Sequence, residues 1–290
     1  MRVLQNMETV PSWITSAYRA YVRGPEHPSK LRIVRWIERC FGASLVMPVE
    51  DGFRLRLYQT DIGDLALMRG ERYEVLTLTF LRRNVRRDDV VLIAGVTNGL
   101  DVLVASQAAG TAGRVIAVEP QPRSVCIARE NFLLNNSFSN IMLVCAALGS
   151  EQGVASISPA PEANSGWSSI VLRDPGELPF RVRTVSVPAL LHDLELARLD
   201  FMLLDVEGFE LHVLQGMASG PLPSILILEA HPIVLSHIGK TTKDYTAAVA
   251  ALGYDAFDLL GAPVGDRDRF PENNLVCLRG VDPSSVRWSS

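Results

Sequence analysis

From residue 88 onward, short apolar runs alternate with longer segments whose apolar residues recur at helical spacing. The runs predict buried strands and the periodic segments predict helices, an alternation typical of a parallel sheet. The last two predicted strands have no helix between them, so we expect a terminal hairpin and one antiparallel strand. The predicted strands are residues 90–93, 114–118, 141–148, 201–205, 225–228, 256–260 and 274–278.

The first 80 residues have a different pattern. Ile33, Trp36 and Ile37 follow helical spacing, and Phe53, Leu55 and Leu57 alternate with polar residues as in a half-exposed strand. We therefore predict two parts. Residues 1–80 form a small, mainly helical segment with short strands on the cap or substrate side, and residues 81–290 form the main α/β domain.

Residues 149 to about 187 interrupt the alternation with glycines and prolines. They predict a long loop with short strands at 169–172 and 182–187. Long loops in compact domains are commonly functional, and this one leaves the side of the sheet where ligands bind in such folds. Acceptor choice is expected in this loop and in the N-terminal segment.

Composition excludes several classes of partner. The net charge is −4 with no block of like charges, so we expect no nucleic-acid partner. The sequence shows no signal peptide and no apolar run long enough for a membrane span, so we expect no membrane partner and a cytoplasmic location. The four cysteines lack metal-ligand spacing, and Cys126 and Cys145 are expected to pack in apolar surroundings. No metal site is predicted.

A glycine turn and an acid at the end of the next strand predict a nucleoside site. Gly95 and Gly99 follow the first strand of the α/β domain, and Glu119 ends the second. A carboxylate at that position can accept hydrogen bonds from two ribose hydroxyls. Pro120 favours extended geometry at Glu119 and so keeps it at the strand tip.

Acids also lie at the ends of the fourth and fifth predicted strands. Asp205 and Glu207 come after four apolar residues, and Glu229 ends the following strand beside His231. Asp205 and Glu207 have two candidate roles, hydrogen bonding to a substrate hydroxyl or shared binding of a divalent cation, and the motif does not decide between them. His231 is a candidate general base.

These motifs resemble the FkbM family of S-adenosylmethionine-dependent methyltransferases, which have a class I fold. The most specific piece is the block from Asp200 to Glu210, DFMLLDVEGFE, which is similar to the family's lDxxKxDvEGxE. The match runs from about Tyr73-Glu74 to Leu278, and its other pieces are Glu119-Pro120, Asn131 with Asn135, Asn164-Ser165-Gly166, Gly216 and Glu229-Ala230-His231-Pro232.

The resemblance implies a Rossmann-like, doubly wound seven-stranded sheet and methyl transfer from S-adenosylmethionine to a hydroxyl oxygen, leaving S-adenosylhomocysteine. The acceptor would be a sugar, a polyketide or another secondary metabolite. Implied catalytic residues are His231, Asp205 and Glu207, and implied acceptor contacts are Asn164, Trp167 and Glu229. Implied donor-binding residues are Gly95, Thr97, Asn98, Gly99, Glu119, Pro120, Ala146, Ala147 and Asp205.

The glycine turn departs from the family pattern DxGANxG. Ile93 stands where the family has an acid, and Thr97 where it has asparagine. Asp101 is a candidate substitute for the lost acid. One alternative is therefore a binding protein of the same fold that has lost catalysis. A nicotinamide dehydrogenase is the other, although the chain lacks its G-x-G-x-x-G motif. The identity of the acceptor and the oligomeric state, homodimer included, stay open.

Overall fold

The structure is a computed structural model that describes residues 11–25, 27–41, 44–49, 52–59, 61–71, 73–136, 139–158, 179–265 and 267–289. In chain order, its helices and strands are α1 (Ser12–Arg23), α2 (Lys30–Phe41), β1 (Ser44–Pro48), β2 (Arg54–Tyr58), α3 (Ile62–Arg69), α4 (Val75–Asn84), β3 (Val90–Ala94), α5 (Leu100–Ala109), β4 (Arg114–Val118), α6 (Pro122–Leu134), β5 (Ile141–Val144), β6 (Ala147–Leu148), β7 (Gly153–Ile157), β8 (Phe180–Val185), α7 (Val187–Asp193), β9 (Phe201–Leu204), α8 (Glu210–Met217), β10 (Ile225–Glu229), α9 (Pro232–His237), α10 (Thr242–Ala251), β11 (Asp255–Asp258) and β12 (Asn274–Leu278). Short 3₁₀ helices lie before β12 at Pro271–Asn273 and after it at Pro283–Ser285.

The central sheet has seven strands in the order β11-β12-β10-β9-β3-β4-β5. Only β12 runs against its neighbours, since it pairs antiparallel with both β10 and β11. The strand order reverses between β9 and β3, which pair in parallel with Ile93 opposite Leu203. The Rossmann-like α/β fold with one antiparallel strand is confirmed.

Alternate residues of the central strands supply two separate cores. Val91 and Ile93 face the first apolar cluster, whereas Leu92 and Ala94 face the second. Successive side chains of a strand point to opposite faces, so both faces of the sheet are covered. This explains why the strands appear in the sequence as continuous apolar runs rather than as alternating ones.

The N-terminal segment packs onto the first of these cores. Its hairpin, β1 with β2, buries Leu45 and Leu57 completely within that cluster. Two asparagines at the C-terminal end of α6, Asn131 within the helix and Asn135 just after it, bind the free edge of β2. Asn131 Oδ1 accepts from the Arg56 amide at 2.7 Å, and Asn135 Oδ1 accepts from the Arg54 amide at 2.8 Å. The predicted division at residue 80 stays a prediction.

Two of the strands predicted around the long loop differ from the sequence-based expectation. The predicted strand 141–148 is split, because β5 ends at Val144 and Ala147–Leu148 pairs instead with β8 in a separate three-stranded sheet. The strand predicted at 182–187 ends at Val185, because Ser186 caps α7 by accepting the Ala189 amide. The strand predicted at 169–172 lies outside the described residues.

Two side-chain expectations are corrected. Helix α2 is confirmed, but its buried stripe contains Val34 and Cys40, whereas Trp36 is 56% exposed. Cys126 and Cys145 are exposed rather than packed in a core, so their apolar sequence neighbours were a poor guide to burial. Within the described residues, every helix is too short or too polar to span a bilayer.

Candidate active site

The turn between β3 and α5 requires both of its glycines. Gly95 and Gly99 have φ values of 89° and 83°, in the left-handed region that favours glycine. A Cβ atom on Gly95 would lie 1.8 Å from the Asp205 carbonyl oxygen, and one on Gly99 would lie 2.6 Å from the Phe132 ring. The glycine turn is therefore pressed against the loop after β9, which brings Asp205 to the same place.

A cavity of about 280 Å³ opens at the carboxyl ends of β3, β4, β9 and β10. Ligands bind in this crevice in open α/β sheets, at the point where the strand order reverses. Eight of the nine predicted donor-binding residues line the cavity, and Gly99 lies behind them in the turn. Glu207 and Glu229 line the cavity as well.

Glu119 is held in the cavity wall by backbone amides. Its Oε2 accepts from the Val96 amide at 3.0 Å and its Oε1 from the Gln121 amide at 2.8 Å. Burial raises the pKa of this carboxyl, and the amides of Gln121, Val96 and Thr97 oppose that shift. A carboxylate has about four acceptor positions, so Glu119 can still accept a further hydrogen bond from a hydroxyl group.

A group of three acidic side chains lies at the ends of β9 and β10. One oxygen from each of Asp205, Glu207 and Glu229 lies within 4.8 Å of the other two. Burial, followed by the neighbouring Asp205 charge, raises the pKa of Glu207 to about 9 and holds that of Glu229 well above its usual range. Among the described residues, the buried Oδ1 of Asp205 has no hydrogen-bond partner. This set of oxygens is suited to hold a proton, a divalent cation or a cationic ligand group.

The position of this group depends on Glu210, which sequence reasoning did not identify as a site residue. Glu210 is 1% exposed, and its Oε1 accepts from the amides of Val206 and Gly208 at 3.0 and 3.2 Å. Its Oε2 accepts from the Tyr245 hydroxyl at 2.6 Å. Glu210 therefore fixes the turn that carries Glu207.

The wall opposite the strand ends contains three more acids, of which only Asp101 was a site candidate from the sequence. Glu74 precedes α4, Asp101 lies in the first turn of α5, and Glu272 precedes β12; all three line the cavity. Burial, followed by the Asp205 and Asp101 charges, raises the pKa of Glu74 to about 8, and burial raises that of Asp101 to about 7. Glu272 has a separate structural task, since it accepts from the Leu76 and Thr77 amides at the start of α4.

Backbone strain is concentrated around this cavity. Glu74, Thr97, Glu207 and Glu272 are non-glycine residues with φ between 46° and 53°, and all four line it. Such conformations cost about 1–3 kcal/mol each and persist where the surrounding structure enforces them. Three of the four place a carboxylate in the cavity wall.

In the part of the chain that the structure describes, every charged side chain that lines the cavity is acidic. Seven carboxyl side chains line it, and no lysine, arginine or histidine does. Because like charges within one cavity disfavour ionisation, the acids compete for protons in the absence of a ligand. The carboxyl groups are Glu74, Asp101, Glu119, Asp205, Glu207, Glu229 and Glu272.

The remaining candidates lie outside the cavity lining. His231 caps α9, where its Nδ1 accepts from the Ile233 amide at 3.3 Å. Burial raises the pKa of Asp205, and the hydrogen bond to Glu229 and the proximity of His231 oppose that shift. Asn164 and Trp167 lie outside the described residues.

The methyltransferase FkbM domain matches residues 94–256, more than half of the chain, in a comparison with protein-family models. The chain belongs to the FkbM methyltransferase family. The match includes the glycine turn, Glu119, and the acids at the ends of β9 and β10. The family expected from the sequence motifs is thereby confirmed, and the protein is a methyltransferase.

This FkbM methyltransferase is similar to the hexuronic acid methyltransferase AglP of Haloferax volcanii. The two are 27% identical over 217 residues, which cover 74% of this chain and 84% of the relative. The aligned length therefore takes in most of both proteins.

Similar solved structures include an O-methyltransferase from Bacillus cereus in complex with SAH, at 13% identity and a TM-score of 0.42, covering 92% of this chain and 97% of that one. An O-methyltransferase from Thermotoga maritima has 13% identity and a TM-score of 0.40, covering 85% and 82%.

Proposed function

We propose that the protein transfers a methyl group from S-adenosylmethionine to a hydroxyl oxygen of a small-molecule or glycan acceptor. The uniformly acidic cavity is the observation that carries this proposal. S-adenosylmethionine has two cationic groups, a sulfonium and an α-ammonium, and buried carboxylates stabilise such groups strongly.

The same cavity disfavours a nicotinamide dinucleotide. A pyrophosphate on the glycine turn would lie among carboxylates with no described basic side chain to offset its charge. Glu119 alone does not separate the two cofactors, because both contain a ribose. The acidic charge of the cavity distinguishes them, because it favours a cationic ligand over a pyrophosphate.

The donor would be bound by three parts of the wall. Glu119 would accept the ribose hydroxyls, the backbone around Gly95 would lie against the methionine part, and Ala146 with Ala147 would flank the adenine. The two alanines are at most 7% exposed and line the cavity. Much of the catalysis would then come from holding donor and acceptor in line.

The geometry favours Asp205 over His231 as the base that takes the hydroxyl proton. Asp205 lines the cavity and has an unpartnered oxygen, whereas His231 lies outside the lining with Nδ1 already accepting a hydrogen bond. A base must come within hydrogen-bond reach of the proton it removes.

The N-terminal segment would complete the acceptor side. Ile62, Gly63 and Tyr73 line the cavity although they precede the α/β domain. The segment also contacts the glycine turn, since Asn98 Nδ2 donates to Asp64 Oδ1 at 2.8 Å. We therefore propose residues 1–80 as the substrate-side cap of a methyltransferase domain at 81–290.

A sugar acceptor is supported by the similarity to a hexuronic acid methyltransferase. The test is incubation with methyl-labelled S-adenosylmethionine and a hexuronic acid glycoside, with the matching neutral hexose glycoside as the control acceptor. We expect label in an alkali-stable ether, as hydroxyl methylation requires. A parallel reaction with EDTA measures whether a divalent cation takes part. If the protein binds the donor but labels neither sugar, the sugar assignment is wrong.

A further inference from the structure

The glycine turn contributes no carboxylate to the cavity. Ile93 is the second-to-last residue of β3, is fully buried and packs in the first apolar cluster. None of residues 94–99 is acidic. If the donor binds as proposed above, on which this inference rests, another element must neutralise the ammonium group of its methionine part.

Asp101 and Glu74 are placed to do so. Asp101 lies two residues after Gly99 in the first turn of α5, and Glu74 directly precedes α4. Helices α4 and α5 pack against each other. Both side chains line the cavity. The Asp101 charge raises the pKa of Glu74, and the Asp205 charge raises the pKa of both acids. The two acids therefore share one part of the wall.

Neither acid has a cationic partner in the described part of the chain. Backbone amides alone donate to Asp101, including the Val102 amide at 2.8 Å. Glu74 hydrogen-bonds to Tyr73, and its backbone is held in the left-handed region at φ 47°. A strained backbone that places an uncompensated carboxylate in a cavity is typical of a binding site.

We propose that Asp101 and Glu74 bind the α-ammonium group of the donor's methionine part and so replace the acid that the glycine turn lacks. An ammonium group has three N–H donors and can bond to both carboxylates at once. Charge-assisted hydrogen bonds of this kind are the strong ones. Asp101 thereby restores a function that Ile93 cannot supply.

The test compares two ligands that differ in this part of the donor. S-adenosylhomocysteine contains the amino-acid group, whereas 5′-methylthioadenosine keeps the adenine, ribose and sulfur without it. Calorimetric titrations are made on the wild type, Asp101→Asn and Glu74→Gln. We expect each variant to bind S-adenosylhomocysteine about 10- to 100-fold more weakly than the wild type and to bind 5′-methylthioadenosine with unchanged affinity.

Glu119→Ala is the matched control. It should lower the affinity for both ligands, because both contain the ribose that Glu119 is proposed to bind. Thermal melting establishes whether each variant is folded. If Glu74→Gln does not fold, the isosteric Asp101→Asn still tests the inference. Equal weakening of both ligands by Asp101→Asn, or no weakening, would overturn this inference and leave the proposed function standing. A folded wild type that binds neither ligand would overturn both.

Discussion

Two carboxylates at the ends of β4 and β9, the strands on either side of β3, have different surroundings. Glu119, after β4, accepts three backbone amides, so its charge is compensated by the protein itself. Asp205, after β9, has a buried oxygen with no partner among the described residues and shares its surroundings with Glu207 and Glu229. Both acids line one cavity, but only the first has its hydrogen bonds supplied by the backbone.

The difference indicates what each acid is suited to bind. A carboxylate fixed by amides is a preorganised acceptor for neutral donors such as ribose hydroxyls. A crowded group of buried carboxyls favours a proton or a cation, because it cannot ionise fully without one. The cavity thus combines a hydroxyl-binding end with a cation-binding and proton-accepting end.

The largest expected effect comes from removing the proton acceptor. If Asp205 is the base, Asp205→Asn should reduce turnover by about 10²-fold or more. His231→Ala should have the smaller effect on turnover and leave donor affinity nearly intact, because His231 does not line the cavity. Initial rates at saturating donor, with donor affinity measured separately, check this prediction.

A His231→Ala variant that loses more activity than Asp205→Asn would reverse the assignment and make the histidine the base. The exposed Asp255→Asn is a suitable control, because its side chain lies far from the carboxyl ends of the strands. It should retain wild-type turnover.

A smaller effect is expected on stability as a function of pH. The pKa of Glu207 is raised to about 9 by burial and by the Asp205, Glu210 and Glu74 charges. Between the ordinary glutamate pKa and this value, the folded state retains a proton that the unfolded state has released. Stability of the ligand-free protein should therefore fall as pH rises across this window.

Glu207→Gln should flatten this decline, since an amide has no proton to lose. Melting temperatures at about pH 5.5 and about pH 8.5 measure it, with the exposed Glu151→Gln as the control that keeps the wild-type slope. Equal slopes in the wild type and Glu207→Gln would show that Glu207 is not protonated in the folded protein.

The acids at strand ends could be predicted from the sequence because their position depends on local order. Glu119 and Asp205 each follow an apolar run, and parallel strands end at one edge of the sheet. Glu272 could not be predicted in this way. It contacts the amides of Leu76 and Thr77, about 195 residues earlier, and only the packing of α4 against the segment before β12 brings them together.

Helix α2 shows a second limit of the same kind. Its spacing correctly predicts a helix, but the side chains that face the core include Val34, while Trp36 is exposed. Several apolar stripes fit one short amphipathic segment, and only its packing partner decides which of them is buried.

The acidic cavity should bind a nucleoside that contains an ammonium group in preference to a pyrophosphate dinucleotide. The decisive measurement is a calorimetric titration of the wild type and Glu119→Ala with S-adenosylhomocysteine, with NADH titrated into the wild type for comparison. We predict micromolar binding of S-adenosylhomocysteine, weakened by about 1–3 kcal/mol in Glu119→Ala, and no binding of NADH. No heat with S-adenosylhomocysteine from a folded sample, or tighter binding of NADH, would contradict the account.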